Sequence, residues 1–87
     1  MALISWRTWE FKEMFAALPE NVRATAVKNF LLWKENPMHP SLHFKEWAPG
    51  LWSIRVGIGY RALIEEKADG AFLWYWIGPH GSYDKLM

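Results

Sequence analysis

Apolar positions along this chain switch between two periods, and the switch divides it into a helical half and a strand half. Phe11, Met14, Phe15 and Leu18 recur at the spacing of one helix face, with Lys12 and Glu13 pointing away from it. Thr8 stands where an N-cap belongs, and Glu10 falls in the first turn behind it. Pro19 ends this helix and suits the first position of a second, where its missing N–H costs nothing. The second helix is longer. Val22, Ala26, Phe30 and Trp33 form its apolar row, Val27 and Leu31 widen it, and Asn36-Pro37 stops it.

From Leu42 onward the period is two. Leu42, Phe44 and Glu46 read as a strand, and Pro49-Gly50 turns the chain into Leu51 to Glu65, the clearest hairpin in the sequence. Trp52, Ile54 and Val56 alternate with Ser53 and Arg55 on the way in. Tyr60, Ala62 and Ile64 alternate with Arg61, Leu63 and Glu65 on the way out. If both apolar sets face one core, the strands pair around Gly57-Ile58-Gly59 with Val56 opposite Tyr60 and Ile54 opposite Ala62. Arg55 is then directly opposite Arg61. Ala68-Asp69-Gly70 is the next turn, and Phe72 to Ile77 is apolar on both faces, as in a strand covered on both sides. Ala2 to Trp6 is a candidate short N-terminal strand, and the residues after Pro79 suffice for a helical turn on the sheet edge.

Two helices followed by sequential strands predict an α+β domain, with the two N-terminal helices packed on one face of a twisted antiparallel sheet of three or four strands. With no linker, repeat or low-complexity tract, residues 1–87 read as a single domain. The other sheet face carries Ser53, Arg55, Arg61 and Leu63.

Composition changes this picture in three ways. Seven tryptophans, five phenylalanines and three tyrosines give a short chain enough bulk for a core, and leave rings over for an apolar surface of the kind that binds partners. Ten basic against nine acidic side chains leave a net charge of +1, so any case for nucleic acid must rest on a local cluster. The absence of cysteine excludes disulfides and thiolate metal sites and fits a reducing cytoplasm. No signal-peptide pattern is present, and the longest apolar run, Ala71 to Ile77, is far too short to span a membrane.

That cluster is the arginine pair. Like charges facing each other across two strands destabilise them, so the pair is either neutralised by Glu46, Glu65, Glu66 or Asp84, or kept for an anion from outside. Guanidinium groups match phosphate in bidentate geometry. His80 follows the buried strand where the chain emerges and carries a proton that can move near neutral pH, and Tyr83 is one helical turn further on. His39 and His43 flank Pro40 without a third ligand at metal-site spacing, and no phosphate loop or serine nucleophile motif is present.

The order of short motifs also resembles a known family. Leu18-Pro19 with Val22, Asn36-Pro37, His39-Pro40-Ser41-Leu42, Trp52-Ser53-Ile54-Arg55-Val56, Gly59-Tyr60-Arg61-Ala62-Leu63, and Ile77-Gly78-Pro79-His80 with Tyr83-Asp84 together resemble the RelE/ParE superfamily of toxins from bacterial type II toxin–antitoxin operons. The resemblance covers nearly the whole chain and implies the fold reached above. It further implies a cognate antitoxin as partner and, in the RelE branch, cleavage of messenger RNA on the ribosome without metal or other cofactor, the ribose 2′-hydroxyl attacking the adjacent phosphate. Matched position by position, Arg61 and Arg55 would hold the phosphate, His80 would donate a proton, and Tyr83 would stack on a base, with Lys45 and Ser53 beside the substrate. Ser53 stands where a second hairpin lysine is common, which leaves the general base open among Lys45, His43 and Glu46. The ParE branch implies a different target, DNA gyrase, and a third alternative is an inert member that only complexes its antitoxin.

Overall fold

The computed structural model describes residues 4–81. The Thr8 hydroxyl accepts a hydrogen bond from the Phe11 amide at 3.0 Å and so caps helix α1, Trp9–Ala16. Pro19 sits one place earlier than the sequence suggests, at the N-cap of helix α2, Glu20–Glu35, with an extended ψ of 149°. Its fixed φ serves either position, and Glu20 takes the first turn. Asn36 closes α2.

The sheet has five strands: β1 (Ser5–Arg7), β2 (Lys45–Ala48), β3 (Leu51–Val56), β4 (Tyr60–Glu66) and β5 (Phe72–Pro79), in the order β1-β5-β4-β3-β2. The α+β class and the helical layer match the expectation, while the sheet is larger and mixed. The N-terminal strand forms, but it runs parallel to β5. A tight turn forces its strands antiparallel, whereas β1 and β5 are separated by the rest of the chain and carry no such constraint. The hairpin register is the one that alternation demands, with Val56 opposite Tyr60, Ile54 opposite Ala62 and Arg55 opposite Arg61. Gly57 opens the turn at φ 64°, a conformation that glycine adopts without strain.

Two segments depart from simple alternation. Pro40–Leu42 form a 3-10 turn instead of beginning a strand, which plugs Leu42 into the core at 0% exposure. His43 then reverses the chain into β2 with a left-handed φ of 48°. In β5, Ile64 pairs with Trp74 but Leu63 pairs with Trp76, so Tyr75 is the extra residue of a bulge. The bulge lets Trp74 and Ile77, three positions apart, both enter the core beneath the helices.

Trp33 is the centre of that core, fully buried, with Phe72 and Trp74 edge-on at 5.3 and 5.2 Å and Phe44 edge-on at 5.9 Å. Phe11 of α1 and Phe30 of α2 both meet the Trp74 ring, at 6.0 and 5.6 Å, joining the two helices through one strand. Among the described residues no helix is long and apolar enough to cross a membrane.

Candidate functional site

The helices cover one sheet face, and the chemistry collects on the other. Arg55 pairs with Arg61, and Arg61 pairs with Gly78. The β2–β3 register, Lys45 with Ser53, carried two residues beyond β2 brings His43 across from Arg55. The row therefore reads His43, Arg55, Arg61, Gly78 across four segments of the chain. Asn29 of α2 donates to the Arg55 carbonyl at 3.0 Å and ties the helical layer to the strand at this point.

Among the described residues neither half-buried guanidinium has an acid beside it. Arg55 donates from Nε to the Gly57 carbonyl at 3.1 Å, and its Nη1 lies 3.2 Å from His43 Nε2. Arg61 donates from Nη1 to the Tyr60 carbonyl at 3.0 Å. The carboxylates that could have neutralised the pair are engaged elsewhere. Glu46 accepts from the Gly50 amide at 2.9 Å, Glu66 from the Trp52 indole at 3.0 Å, and Glu65 pairs with Lys67 at 3.1 Å. Asp84 lies outside the described residues. Each guanidinium has five N–H donors, and these contacts use two on Arg55 and one on Arg61. Among the described residues nothing else takes the remaining donors.

The neighbouring row is Lys45, Ser53, Leu63 and Trp76. Lys45 is exposed, while Ser53 and Leu63 are only 6% and 2% exposed, so this face is covered at its middle and open at Lys45. Gly78 sets where the Trp76 ring can lie on this face. A Cβ there would lie 2.8 Å from the Trp76 ring, so the bare glycine is what lets that ring lie across the strand beside Arg61.

His80 lies two residues beyond Gly78, exposed, with its backbone amide donating to the Gly59 carbonyl at 2.8 Å. It is thereby held at the turn end of the hairpin. His80 and Gly81 are helical, where the C-terminal turn is expected to begin, and Tyr83 lies outside the described residues. Of the three general-base candidates, His43 touches Arg55, Lys45 occupies the next row, and Glu46 pairs with Trp52 on the helix-bearing face. His39 is used locally, its Nδ1 accepting from the Ser41 amide at 3.2 Å. Periodicity does not reveal the His43 contact, because His43 sits in the connection before β2 and only its left-handed backbone aims it at Arg55.

A second feature lies on the helical side. Phe11, Phe15, Phe30, Ile54, Trp74 and Ile77 line an apolar groove of about 460 Å³ between α1, α2 and the sheet, with Arg7 and Lys34 at its rim. Val27 and Leu31 on its α2 wall are 48% and 58% exposed, and Trp6 and Trp9 near the chain start are 65% and 70% exposed. A helical row of apolar residues looks like core in a sequence, and these positions are the part of the row the core leaves uncovered.

No protein-family model and no curated protein matches the sequence. Several solved structures match the fold. A mutant of the Escherichia coli toxin RelE in the free state superposes with a TM-score of 0.75 at 16% identity, over 97% of this chain and 90% of that one. The archaeal RelE–RelB complex from Pyrococcus horikoshii gives 0.72 at 15% identity, covering 93% and 98% of the two chains. The toxin–antitoxin complex RelBE2 from Mycobacterium tuberculosis gives 0.72 at 18% identity, covering 91% and 99%. The chain has the RelE fold.

Proposed function

We propose that this protein is the toxin of a type II toxin–antitoxin pair and that it cleaves messenger RNA on the ribosome, in the cytoplasm, by 2′-hydroxyl attack on the adjacent phosphate. The observation that carries the reading is the pair of opposed arginines whose potential acidic partners Glu46, Glu65 and Glu66 are all bonded elsewhere. A sheet that sets two guanidiniums face to face lowers its own stability unless an anion joins them. An RNA phosphate is that anion. In the transition state its oxygens gain charge, and donors already in place stabilise that charge without reorganising. Arg55 and Arg61 hold the phosphate, His80 at the hairpin end protonates the leaving oxygen, and Lys45 with the buried Ser53 below it borders the substrate path. Tyr83 takes the stacking role.

The partner side of the reading rests on the groove. Proteins sharing this fold have been solved as RelE–RelB and RelBE2 complexes. An antitoxin segment that covers Phe11, Phe15, Val27 and Leu31 removes an apolar surface that a free chain keeps wet. Co-expression with its operon neighbour should yield a stable complex, and a chain that stays monomeric and indifferent to that neighbour contradicts this part.

One observation favours a different reading. A net charge of +1 is small for a protein that grips RNA, since phosphate contacts dominate nucleic-acid affinity. It suits a binding protein, either an inhibitor of DNA gyrase or a chain whose task is to complex its antitoxin. Induction of the wild type, Arg61→Ala and His80→Ala in a bacterium, with RNA 3′ ends mapped, separates the readings. The nuclease gives new ends that vanish in both variants. Growth arrest with intact RNA and altered DNA supercoiling points to gyrase, and unimpeded growth points to the inert partner.

A further inference from the structure

We infer that His43 is the group that takes the proton from the attacking 2′-hydroxyl, and that Arg55 occupies its lone pair until phosphate arrives. The inference rests on the ribonuclease reading above and fills the place that reading leaves vacant. Three observations carry it. Arg55 Nη1 lies 3.2 Å from His43 Nε2, and a guanidinium can only donate, so Nε2 presents its lone pair and the ring proton is on Nδ1. His43 is exposed and stands at one end of the row His43–Arg55–Arg61, while His80 is held at the hairpin turn beyond Gly59. The phosphate grip thus lies between a proton acceptor and a proton donor, as displacement through opposite sides of phosphorus requires. Finally, His43 adopts φ 48°, which an ordinary side chain avoids, and the 3-10 turn before it buries Leu42 and fixes the position from which the ring reaches Arg55.

Lys45 and Glu46 are less suited. Lys45 extends from the Ser53 row, and Glu46 belongs to the opposite face with its carboxylate on the Gly50 amide. When a phosphate enters between the arginines, the Arg55 fork turns to its oxygens and uncovers Nε2. The 2′-hydroxyl proton passes to Nε2 and the 2′-oxygen bonds to phosphorus. The bond from phosphorus to the 5′-oxygen breaks, and that oxygen takes a proton from His80. The product strand ends in a 2′,3′-cyclic phosphate, and exchange with water takes the proton from His43 and gives one back to His80.

The left-handed backbone supplies a clean test, because glycine prefers that conformation and His43→Gly should fold at least as well as the wild type. On purified ribosomes programmed with a short messenger, single-turnover cleavage by His43→Gly should drop by about 10²- to 10⁴-fold. Added imidazole should restore part of the rate. Arg61→Ala should lose cleavage with no recovery in imidazole. If His43→Gly cleaves at the wild-type rate while Arg61→Ala does not cleave, the inference fails and the ribonuclease reading stands. A loss in His43→Gly that imidazole leaves untouched makes His43 a structural residue and also overturns the inference. A wild-type protein that cleaves no messenger overturns both.

Discussion

Gly78 is a residue with no functional group, yet the arginine row depends on it. Its missing side chain is what lets Trp76 lie flat next to Arg61, since a Cβ would come within 2.8 Å of the ring. Gly78→Ala should therefore cost about 1–3 kcal/mol of stability by overpacking. In a Trp76→Ala background the same change should cost much less, and chemical denaturation of the four proteins of that cycle measures the coupling. Thr8 is simpler. Its cap bond to the Phe11 amide predicts a loss of about 1 kcal/mol in Thr8→Ala, with Thr8→Ser close to the wild type. At this scale the sequence was informative wherever a residue acts within its own element. Thr8 caps, Gly57 turns, and Arg55 stands opposite Arg61, as their neighbours in the chain imply. His43 does not, because its meaning comes from a backbone angle, and its imidazole meets Arg55 only once β2 and β3 have paired.

Among the elements, hairpin β3–β4 was fully legible, since its alternation leaves one register that buries both apolar sets. β5 was less so. A strand apolar on both faces gives no alternation to read, and the Tyr75 bulge decides which of its rings enter the core. Burial, and then the nearby Glu65 carboxylate, raise the Tyr75 phenol above its ordinary value of 10.0. The folded state thus keeps a proton that the unfolded chain gives up first. The stabilisation is complete below pH 10 and declines as the pH rises from there through the raised value. Tyr75→Phe removes the titrating group, so its stability should decline less steeply than the wild type's across that range in parallel denaturant titrations. A wild type and variant with equal slopes contradict this. β1 was legible as a strand but not in direction, because its partner is the last strand of the sheet and no short turn links them.

For the whole molecule, the aromatic content builds one core around Trp33, and its contacts with Phe44, Phe72 and Trp74 join the connection before β2, β5 and α2. Trp33→Ala should cost about 3–5 kcal/mol, a large share of what a small domain has, and should be read as a lowered midpoint in thermal or urea unfolding. The fold class was legible because two periodicities in a fixed order leave few ways to cover a sheet. The groove between the helices was not, since the residues left uncovered on an apolar helix face are set by how far α1 and α2 stand apart. The same architecture leaves an apolar groove on one face and the arginine row on the other, and the proposed function assigns a protein partner to the first and an anion to the second.

The claim at the centre of this account is that Arg55 and Arg61 act together on an RNA phosphate. The most direct measurement is the chemistry of the 3′ ends produced from messenger on programmed ribosomes by wild type, Arg55→Ala, Arg61→Ala and the double variant. The account predicts 2′,3′-cyclic phosphate ends from the wild type and a loss of at least about 10²-fold in each single variant, the scale on which one transition-state donor counts. The double variant should be little worse than the poorer single one, as for groups that act as a unit. Intact messenger with the wild type, or wild-type cleavage with Arg61→Ala, would contradict it.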